Sequence, residues 1–321
     1  MLKVSLSAKN LICFSLATLI LLVSLCGCTQ KSESVPESNA VTFEDALGRN
    51  ITLDTAPTRV AALIGSFAEV WQLAGGTVCA TAEDAWEDFG LTLDGAVNIG
   101  GAHSPNLEML LSAEPQFVIA SASTSSNVEM KDSLEAAGIT VAYFDVDSFY
   151  DYLDMLKICT KITGRDDLYQ KNGSELLKRV NQIKENLDSD SFPEAHRKIL
   201  LLRASSGLLK AKGSEGTVLG EMLSDLGCIN IADSDTSLLE NLSVESVIRE
   251  EPYRIFVVTM GNDTKAAKAN LFRTIKENPA WEGLEAVKSD RLHIMDRRLF
   301  NIKPNARWAE AYEILEKTLQ S

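Results

Sequence analysis

The chain has 321 residues, of which 45% are hydrophobic and 24% charged, a composition typical of a folded globular protein. It carries 31 Lys and Arg against 45 Asp and Glu, a formal net charge of −14 that no dense basic stripe offsets, so nucleic-acid binding is disfavoured. Because the length exceeds the roughly 250–300 residues at which a single hydrophobic core stops growing, we expect two lobes.

The N-terminus has the pattern of a targeting segment. Two lysines precede an apolar stretch over residues 11–27, which is short for a transmembrane span of about 20 residues and typical of a secretory signal. The stretch ends at Leu25-Cys26-Gly27-Cys28, which resembles the bacterial lipobox, where the last Cys is acylated and the signal is cut just before it. We predict a lipoprotein signal peptide over 1–27, a lipid on Cys28 and a flexible polar tether over 28–41. An uncleaved anchor or an ordinary signal peptide is the alternative.

The remaining cysteines do not suggest a disulfide framework. Beyond Cys28 the sequence has only Cys79, Cys159 and Cys228, and three cysteines cannot all pair with one another. Each lies in an apolar context. We therefore expect three small buried side chains.

Short β-rich runs alternate with helical patterns along the rest of the chain. Strands are predicted over 60–64, 117–120, 141–146, 199–202, 255–259 and 292–295. Helices, bounded by Gly or Pro, are predicted over 67–73, from Ser104-Pro105 to Pro115, and over 128–137, 217–226, 244–250 and 265–276. This alternation predicts an α/β fold with mostly parallel sheets covered by helices.

A long helical region separates the two sets of strands. Within it an apolar stripe recurs at helical spacing, at Leu176, Val180, Ile183 and Leu187. Gly164 and Gly173 are possible breaks. We predict an N-terminal lobe over 42–147, a helical linker over 148–192 that includes a bridging helix, and a C-terminal lobe over 193–321.

An internal repeat supports two lobes of similar topology. Residues 107–115 align with residues 244–252 so that both Glu pairs and the final Pro coincide, and each segment runs directly into a predicted strand. Each lobe thus presents a glutamate, Glu108 or Glu245, at the start of a matching helix. The helix dipole favours a glutamate in the first turn, which is also the plain structural explanation for both residues.

Five motifs in order along the chain carry a family resemblance. They are Leu47-Gly48-Arg49, Pro57-Thr58-Arg59-Val60, Pro105-Asn106-Leu107-Glu108, Glu114-Pro115 and Gly227-Cys228-Ile229-Asn230-Ile231-Ala232. Together they resemble the cobalamin/Fe(III)-siderophore class of ABC-transporter solute-binding lipoproteins, the class III periplasmic binding proteins, over about residues 42–319. The resemblance implies two Rossmann-like lobes joined by one long rigid helix, with the ligand cleft between them. It also implies that Glu108 and Glu245 pair with arginines of a membrane permease.

The resemblance implies a transport function. We expect a monomer, anchored by its lipid to the extracytoplasmic face of the cell membrane, that captures an iron chelate, either a ferric siderophore or haem, and delivers it to an ABC permease driven by its ATPase. Such a protein needs no resident cofactor. A corrinoid ligand is the alternative, followed by a bare zinc or manganese ion. The chain lacks the common hydrolase, dinucleotide, P-loop and metalloprotease motifs, so we do not expect an enzyme.

Loops after the predicted strands supply the candidate ligand contacts, since open α/β sheets bind ligands at the carboxyl ends of their strands. The candidates are Ser66, Phe67, Trp86, His103, Ser121, Arg203, Met260, Arg297, Phe300 and Asn301. The family's contact positions map onto His103, Ser121, Arg203 and Asn301. The cobalamin-binding relatives have aromatic residues where this chain has Ser121 and Arg203, which argues against a corrinoid.

The candidates differ in the chemistry that they offer. Arg203 follows a strongly apolar strand, and its planar guanidinium suits the carboxylates of a metal chelate or a porphyrin. Trp86 and Phe300 suit stacking on a flat ligand, although each also fits an ordinary core position. His103 offers an axial ligand for the chelate's metal, but a loop histidine beside Ser-Pro is more typical of a solvated or capping group.

Overall fold

The N-terminal half is built on a five-stranded parallel sheet. The computed structural model describes residues 40–187, 192–261 and 263–321. The strands of this half are β1 (Val41–Glu44), β2 (Asn50–Leu53), β3 (Val60–Ala62), β4 (Val78–Thr81), β5 (Val97–Asn98), β6 (Gly100–Gly101), β7 (Ser104–Pro105), β8 (Phe117–Ser121) and β9 (Thr140–Phe144). The sheet has the order β5-β4-β3-β8-β9, and β1-β2 and β6-β7 form antiparallel pairs beside it.

Helices connect these parallel strands. They are α1 (Gly65–Leu73), α2 (Asp84–Glu87), α3 (Leu107–Ser112), α4 (Ser125–Glu129) and α5 (Lys131–Ala136). The helix predicted over 128–137 is thus divided in two, with Met130 at the junction. Strand β1 begins at Val41, which is the last residue of the predicted tether.

The linker contains two helical segments. Helix α6 (Phe149–Thr163) begins with a capping box between Ser148 and Asp151 and ends at Gly164. Gly164 has a left-handed φ of 69°, which glycine adopts without strain because it has no β-carbon. The chain then continues as α7 (Asp166–Tyr169), a π-helical turn (Gln170–Ser174) and α8 (Glu175–Leu187). Of the two predicted breaks, Gly164 ends a helix, whereas Gly173 is accommodated within the π-helical turn.

The C-terminal half repeats the α/β plan. Its strands are β10 (Lys198–Ala204), β11 (Leu209–Lys212), β12 (Ile229–Asn230), β13 (Arg254–Thr259) and β14 (Leu292–Ile294), with the order β11-β10-β13-β14 and β12 paired to β10. Only β11 runs antiparallel to its neighbour among these described strands. The helices are α9 (Glu194–Arg197), α10 (Val218–Asp225), α11 (Ile231–Ser234), α12 (Ser237–Glu240), α13 (Val244–Glu250), α14 (Thr264–Lys276), α15 (Pro279–Glu282), α16 (Glu285–Lys288), α17 (Arg297–Phe300) and α18 (Trp308–Gln320), with a 3₁₀ turn at Asn305–Arg307.

Successive side chains along a strand point to opposite faces of the sheet and therefore join different hydrophobic clusters. In β10, Ile199 and Leu201 join a large cluster that also contains β3 and β8 side chains and the linker helices, whereas Leu200 and Leu202 join a cluster on the opposite face of their own sheet. The large cluster therefore includes residues of both halves. Phe149 at the start of α6 packs against Trp308 of α18, with ring centroids 5.7 Å apart.

The internal repeat is confirmed by matching local structure. The side chains of Asn106 and Ser243 cap α3 and α13, each accepting a hydrogen bond from the backbone three residues on. Glu114 and Glu251 both adopt a left-handed φ of 48° immediately before a proline and the strand that follows it. The helix predicted to open at Ser104-Pro105 instead begins after Asn106, because those two residues pair with Gly100–Gly101 in a short hairpin.

All six predicted strands are confirmed, with boundaries that differ by up to two residues. No helix in the described ranges is long and apolar enough to cross a membrane. The predicted signal peptide and Cys28 lie outside the described residues.

Candidate functional site

Three cationic side chains share one face of the β10–β11 pair. In the antiparallel register Arg203 lies directly opposite Lys210, and Lys212 lies two residues further along β11, so alternation puts all three on the same side. Like charges directly opposite one another in a sheet are destabilising. This arrangement therefore costs stability unless another group neutralises it.

The protein supplies little neutralisation for these three groups. In the ranges that the structure describes, none of the three has a carboxylate within 4 Å of its charged nitrogen atoms, and Arg203 Nε is buried without a hydrogen-bond partner. Burial lowers the pKa of Arg203, and the charge of Asp147 acts against that shift. Burial, and then the charges of Arg203 and Lys210, lower the pKa of Lys212. We call Arg203, Lys210 and Lys212 the cationic face.

A cavity of about 270 Å³ lies against the cationic face. Ser205, Leu208 and Met260 complete its lining. Leu208 and Met260 are 59% and 49% exposed, so the cavity has an apolar rim around a positively charged wall. Such a cavity suits an anionic ligand that also has apolar surface.

Two other arginines near the carboxyl ends of the strands are paired with carboxylates, although Arg297 Nε, like Arg203 Nε, is buried without a hydrogen-bond partner. Arg297 donates to both carboxylate oxygens of Asp88, at 2.5 and 3.0 Å, and so joins α17 to the loop after α2. Arg298 pairs with Glu69 of α1 at 2.8 Å and lies 4.0 Å from the ring centroid of Phe89. These pairs connect the last part of the chain to the N-terminal sheet.

Further polar contacts extend this connection. The amide of Asn305 donates to the carbonyl of Ser66 at 2.9 Å and to Glu69 at 2.6 Å, and Lys303 pairs with Asp147 at 3.2 Å. Burial raises the pKa of Glu69, an effect that Arg298 and Asn305 oppose. We call the contacts of Arg297, Arg298, Lys303 and Asn305 with the N-terminal half the clasp, and the cavity that the cationic face lines the cleft.

Several predicted ligand contacts belong to the protein's own packing. Phe67 and Phe300 are 1% and 2% exposed and lie in the large core cluster, so neither ring is accessible in this structure and their contact with a ligand stays a prediction. Ser66 and Ser121 are also buried. The amide nitrogen of Ser121 donates to Asn127, and its hydroxyl is bonded to Ser123 and Thr124, which leaves both groups engaged.

The other candidates retain accessible surface. Arg203 and Met260 line the cavity. Trp86 and Asn301 are partly exposed, and His103 is exposed on the turn between β6 and β7. Arg297 is only partly accessible because its guanidinium lies on Asp88. The contact roles of these residues stay predictions.

Lys210 and Lys212 were not predicted as site residues. They lie on β11, a strand that is absent from the six predicted from the sequence. The alternation Leu209-Lys210-Ala211-Lys212 after a Ser-Ser-Gly turn is the pattern that marks it, because it is typical of a short edge strand with one polar face.

The two glutamates identified from the repeat occupy equivalent exposed positions. Glu108 and Glu245 lie in the first turns of α3 and α13. The pKa of Glu245 is lowered by its own backbone amide and then by the hydroxyl of Ser243, which donates to its carboxylate at 2.9 Å. Glu245 therefore stays ionised in mildly acidic solution.

Cys79, Cys159 and Cys228 are free thiols. Cys159 is buried, whereas the other two are partly exposed, so the expectation of burial holds fully for one of the three. Within the described ranges, no group of three or more His, Cys, Asp or Glu residues has the geometry to hold a metal ion.

Comparisons with known proteins place the chain in a family. Residues 60–299 match the periplasmic binding protein family. The chain is 27% identical to the Fe(3+)-citrate-binding protein YfmC of Bacillus subtilis (strain 168) over 86% of each chain. It is 22% identical to the putative ABC transporter substrate-binding lipoprotein YhfQ of the same organism, over 94% of this chain and 95% of that one.

Solved structures show the same fold. The structure of Staphylococcus aureus SirA complexed with staphyloferrin B matches with a TM-score of 0.67 and 19% identity, covering 87% of this chain and 98% of that one. The resemblance inferred from the sequence motifs is confirmed, as is the two-lobed α/β fold. The chain belongs to the periplasmic binding protein family.

Proposed function

We propose that this chain is the solute-binding component of an ABC importer and that its cargo is a ferric chelate bearing carboxylate groups. The observation that carries the proposal is the cationic face, whose charged nitrogen atoms have no carboxylate within 4 Å among the described residues. A protein gains nothing in stability from repelling cations that stay unpaired. A bound polycarboxylate neutralises all three groups and forms charge-assisted hydrogen bonds with the guanidinium.

The relatives' names agree with such a cargo. Ferric citrate, named for the YfmC relative, is a chelate of carboxylate groups, and staphyloferrin B occupies the SirA structure. Haem also carries carboxylates and fits the same chemistry. The cationic face does not favour a corrinoid or a bare cation, which leaves these as the weaker alternatives.

The remaining parts of the proposal concern delivery. Cys28 carries the lipid that holds a monomer at the extracytoplasmic face of the membrane, as the lipoprotein names of two relatives suggest. Glu108 and Glu245, exposed on matching helices of the two lobes, dock on the permease. Lobes over 42–147 and 193–321, joined by the linker over 148–192, enclose the cargo. No bond is made or broken, so the protein has no enzymatic role.

A ligand screen with matched variants tests the proposal. Thermal unfolding of the purified protein is followed with ferric citrate, haem and a corrinoid, since a ligand at 100 times its Kd adds about 2.7 kcal/mol of stability. We expect ferric citrate or haem to raise Tm for the wild type and for Lys178→Ala, an exposed lysine on α8. The Arg203→Ala variant should lose that increase. A rise with the corrinoid alone, or an equal rise in Arg203→Ala, contradicts the proposal.

A further inference from the structure

The two docking glutamates differ in the residue that stands four positions further along the same helix. Residues four apart lie on one face of a helix, with their β-carbons about 5–6 Å apart, and a Glu followed by an Arg at this spacing can form a stabilising ion pair. In α13 the residue four after Glu245 is Arg249. In α3 the residue four after Glu108 is Ser112, which carries no charge. Of the two glutamates, only Glu245 therefore has a cation of its own helix within reach.

Arg249 does not pair with Glu245 in the structure. Its Nη2 atom donates to Asp235 Oδ2 at 2.7 Å, and its Nε atom donates to Glu250 at the longer distance of 3.4 Å. In the described ranges no cationic nitrogen lies within 4 Å of the Glu245 carboxylate, which accepts a hydrogen bond from the hydroxyl of Ser243 at 2.9 Å. The charge of Glu245 thus stays without a counter-charge on the protein surface.

Asp235 is held in the position from which it binds Arg249. It lies between α11 and α12, and its side chain is 20% exposed, against 62% for that of Arg249. Its Oδ1 atom accepts hydrogen bonds from the amide of Ser237, at 3.2 Å, and from the hydroxyl of the same residue. The carboxylate is therefore fixed by the first turn of α12 and presents Oδ2 to the arginine. Because one partner is already fixed, the pair loses less side-chain entropy than a pair between two mobile side chains.

We propose that Asp235 binds Arg249 so that Arg249 does not pair with Glu245, and that Asp235 thereby keeps the docking carboxylate available to the permease. Asp235 is a positioning residue, since it acts through Arg249. This inference rests on the proposed function, in which Glu245 docks on the permease. Without the charge of Asp235, Arg249 lies about one helical turn from the docking carboxylate, where it pairs with Glu245 and repels a basic side chain of the permease.

The first test removes the charge of Asp235 and keeps its shape. Asp235→Asn retains an oxygen that can cap Ser237 but loses the charge that holds Arg249. In the purified protein, NMR follows the carboxyl carbon of Glu245 as the pH is lowered. We expect its titration to move to lower pH in Asp235→Asn, because a pair with Arg249 favours the ionised carboxylate, and to return to the wild-type position in Asp235→Asn/Arg249→Ala. Glu250→Gln, which removes the longer contact of the same arginine, is the matched control and should leave the titration nearly unchanged.

The second test measures transport. Cells that lack the chromosomal copy express each variant, and their uptake of radioactive ferric citrate is measured well below saturation. Asp235→Asn should lower uptake about twofold, which is the effect of an ion pair between residues four apart with which the permease has to compete. Asp235→Asn/Arg249→Ala should restore uptake, and Arg249→Ala or Glu250→Gln alone should transport as the wild type does. Calorimetry should show the same affinity for ferric citrate in every variant, since none of these residues lines the cleft.

Three outcomes overturn the inference. If Glu245 titrates identically in the wild type and in Asp235→Asn, Arg249 does not turn to Glu245. If Arg249→Ala does not restore the uptake that Asp235→Asn loses, Asp235 acts by capping α12 or by contacting the permease itself. If Arg249→Ala alone reduces uptake, Arg249 takes part in docking instead of competing with it.

Failure of the proposed function gives a different result. In that case Glu245→Ala transports normally, or the wild type takes up no ferric citrate. The NMR titration needs no transport, so it still decides whether Asp235 keeps Arg249 from pairing with Glu245.

Discussion

The arginines of the clasp and the arginine of the cationic face differ in their partners. In the clasp, Arg297 has Asp88 and Arg298 has Glu69, and both pairs join the C-terminal part of the chain to the N-terminal sheet. On the cationic face, Arg203 lies opposite Lys210 with no carboxylate near either group in the described ranges. The comparison separates arginines that join the two halves from Arg203, which we propose binds the ligand, although the sequence alone does not distinguish them.

The largest expected effect is on stability and comes from the clasp. Arg298→Ala should lower the free energy of unfolding by about 3 kcal/mol, because it leaves the mostly buried carboxylate of Glu69 without its cation. Urea denaturation measures the change. Arg165→Ala, which breaks an exposed pair with Asp167, is the matched control and should cost about 0–1 kcal/mol. Equal losses in the two variants would remove the distinction between buried and exposed pairs.

Arg203→Ala should behave in the opposite way. We expect unchanged or slightly higher stability, because the substitution relieves repulsion with Lys210 and removes a buried group without a hydrogen-bond partner. Affinity for a carboxylate chelate should fall by about 30- to 100-fold, the usual cost of deleting one partner of a desolvated charge pair. Parallel denaturation and calorimetry measure both. A loss of stability as large as that of Arg298→Ala would make Arg203 a structural residue.

A smaller effect is expected on the number of protons that the protein takes up when an anion binds. The pKa of Lys212 lies below the ordinary lysine value of 10.5 because of burial and the nearby charges of Arg203 and Lys210. As pH rises, Lys212 loses its proton before an ordinary lysine does, and a bound anion favours the charged form. Anion binding in alkaline solution should therefore take up protons. Calorimetry in buffers of different ionisation enthalpy detects the uptake, and Lys212→Met should reduce it. Proton uptake that is the same in Lys212→Met as in the wild type would show that another group takes up the protons.

The smallest effect on the purified protein is expected at the docking glutamates. Replacing both Glu108 and Glu245 with Ala should lower Tm only slightly and leave chelate affinity within error, because both side chains are exposed and lose only a weak helix-dipole interaction. Uptake of radioactive iron by cells should nevertheless fall strongly. Normal uptake in cells that express the double variant would contradict the docking role.

The sequence predicted the framework better than the cleft. Buried strands such as 117–120 and 255–259 were predictable because continuous apolar runs leave few alternatives. Short edge strands were not predicted. Strand β11 is the most important of them, because its two lysines form most of the cationic face. Leu209 and Ala211 are only two alternating apolar residues, so they give a weak strand pattern. Their pairing with β10 cannot be recognised from the local sequence.

Side-chain direction is the second property that the sequence did not predict. Phe67 and Phe300 follow strands, as expected of ligand contacts, yet both rings turn into the core. The sequence made Arg297 and Arg203 similar candidates for ligand contact. In the structure the carboxylate of Asp88, which lies on a distant segment, pairs with Arg297 and not with Arg203. Such long-range pairing depends on how the two halves pack, which no local pattern encodes.

The most direct test of the central claim is to locate the iron in crystals of the protein grown with ferric citrate. Anomalous scattering at the iron edge gives its position without assumptions about the ligand. The account predicts a single strong peak in the cleft, with the citrate carboxylates on Arg203, Lys210 and Lys212. A peak elsewhere on the molecule, with the cationic face empty, would contradict it.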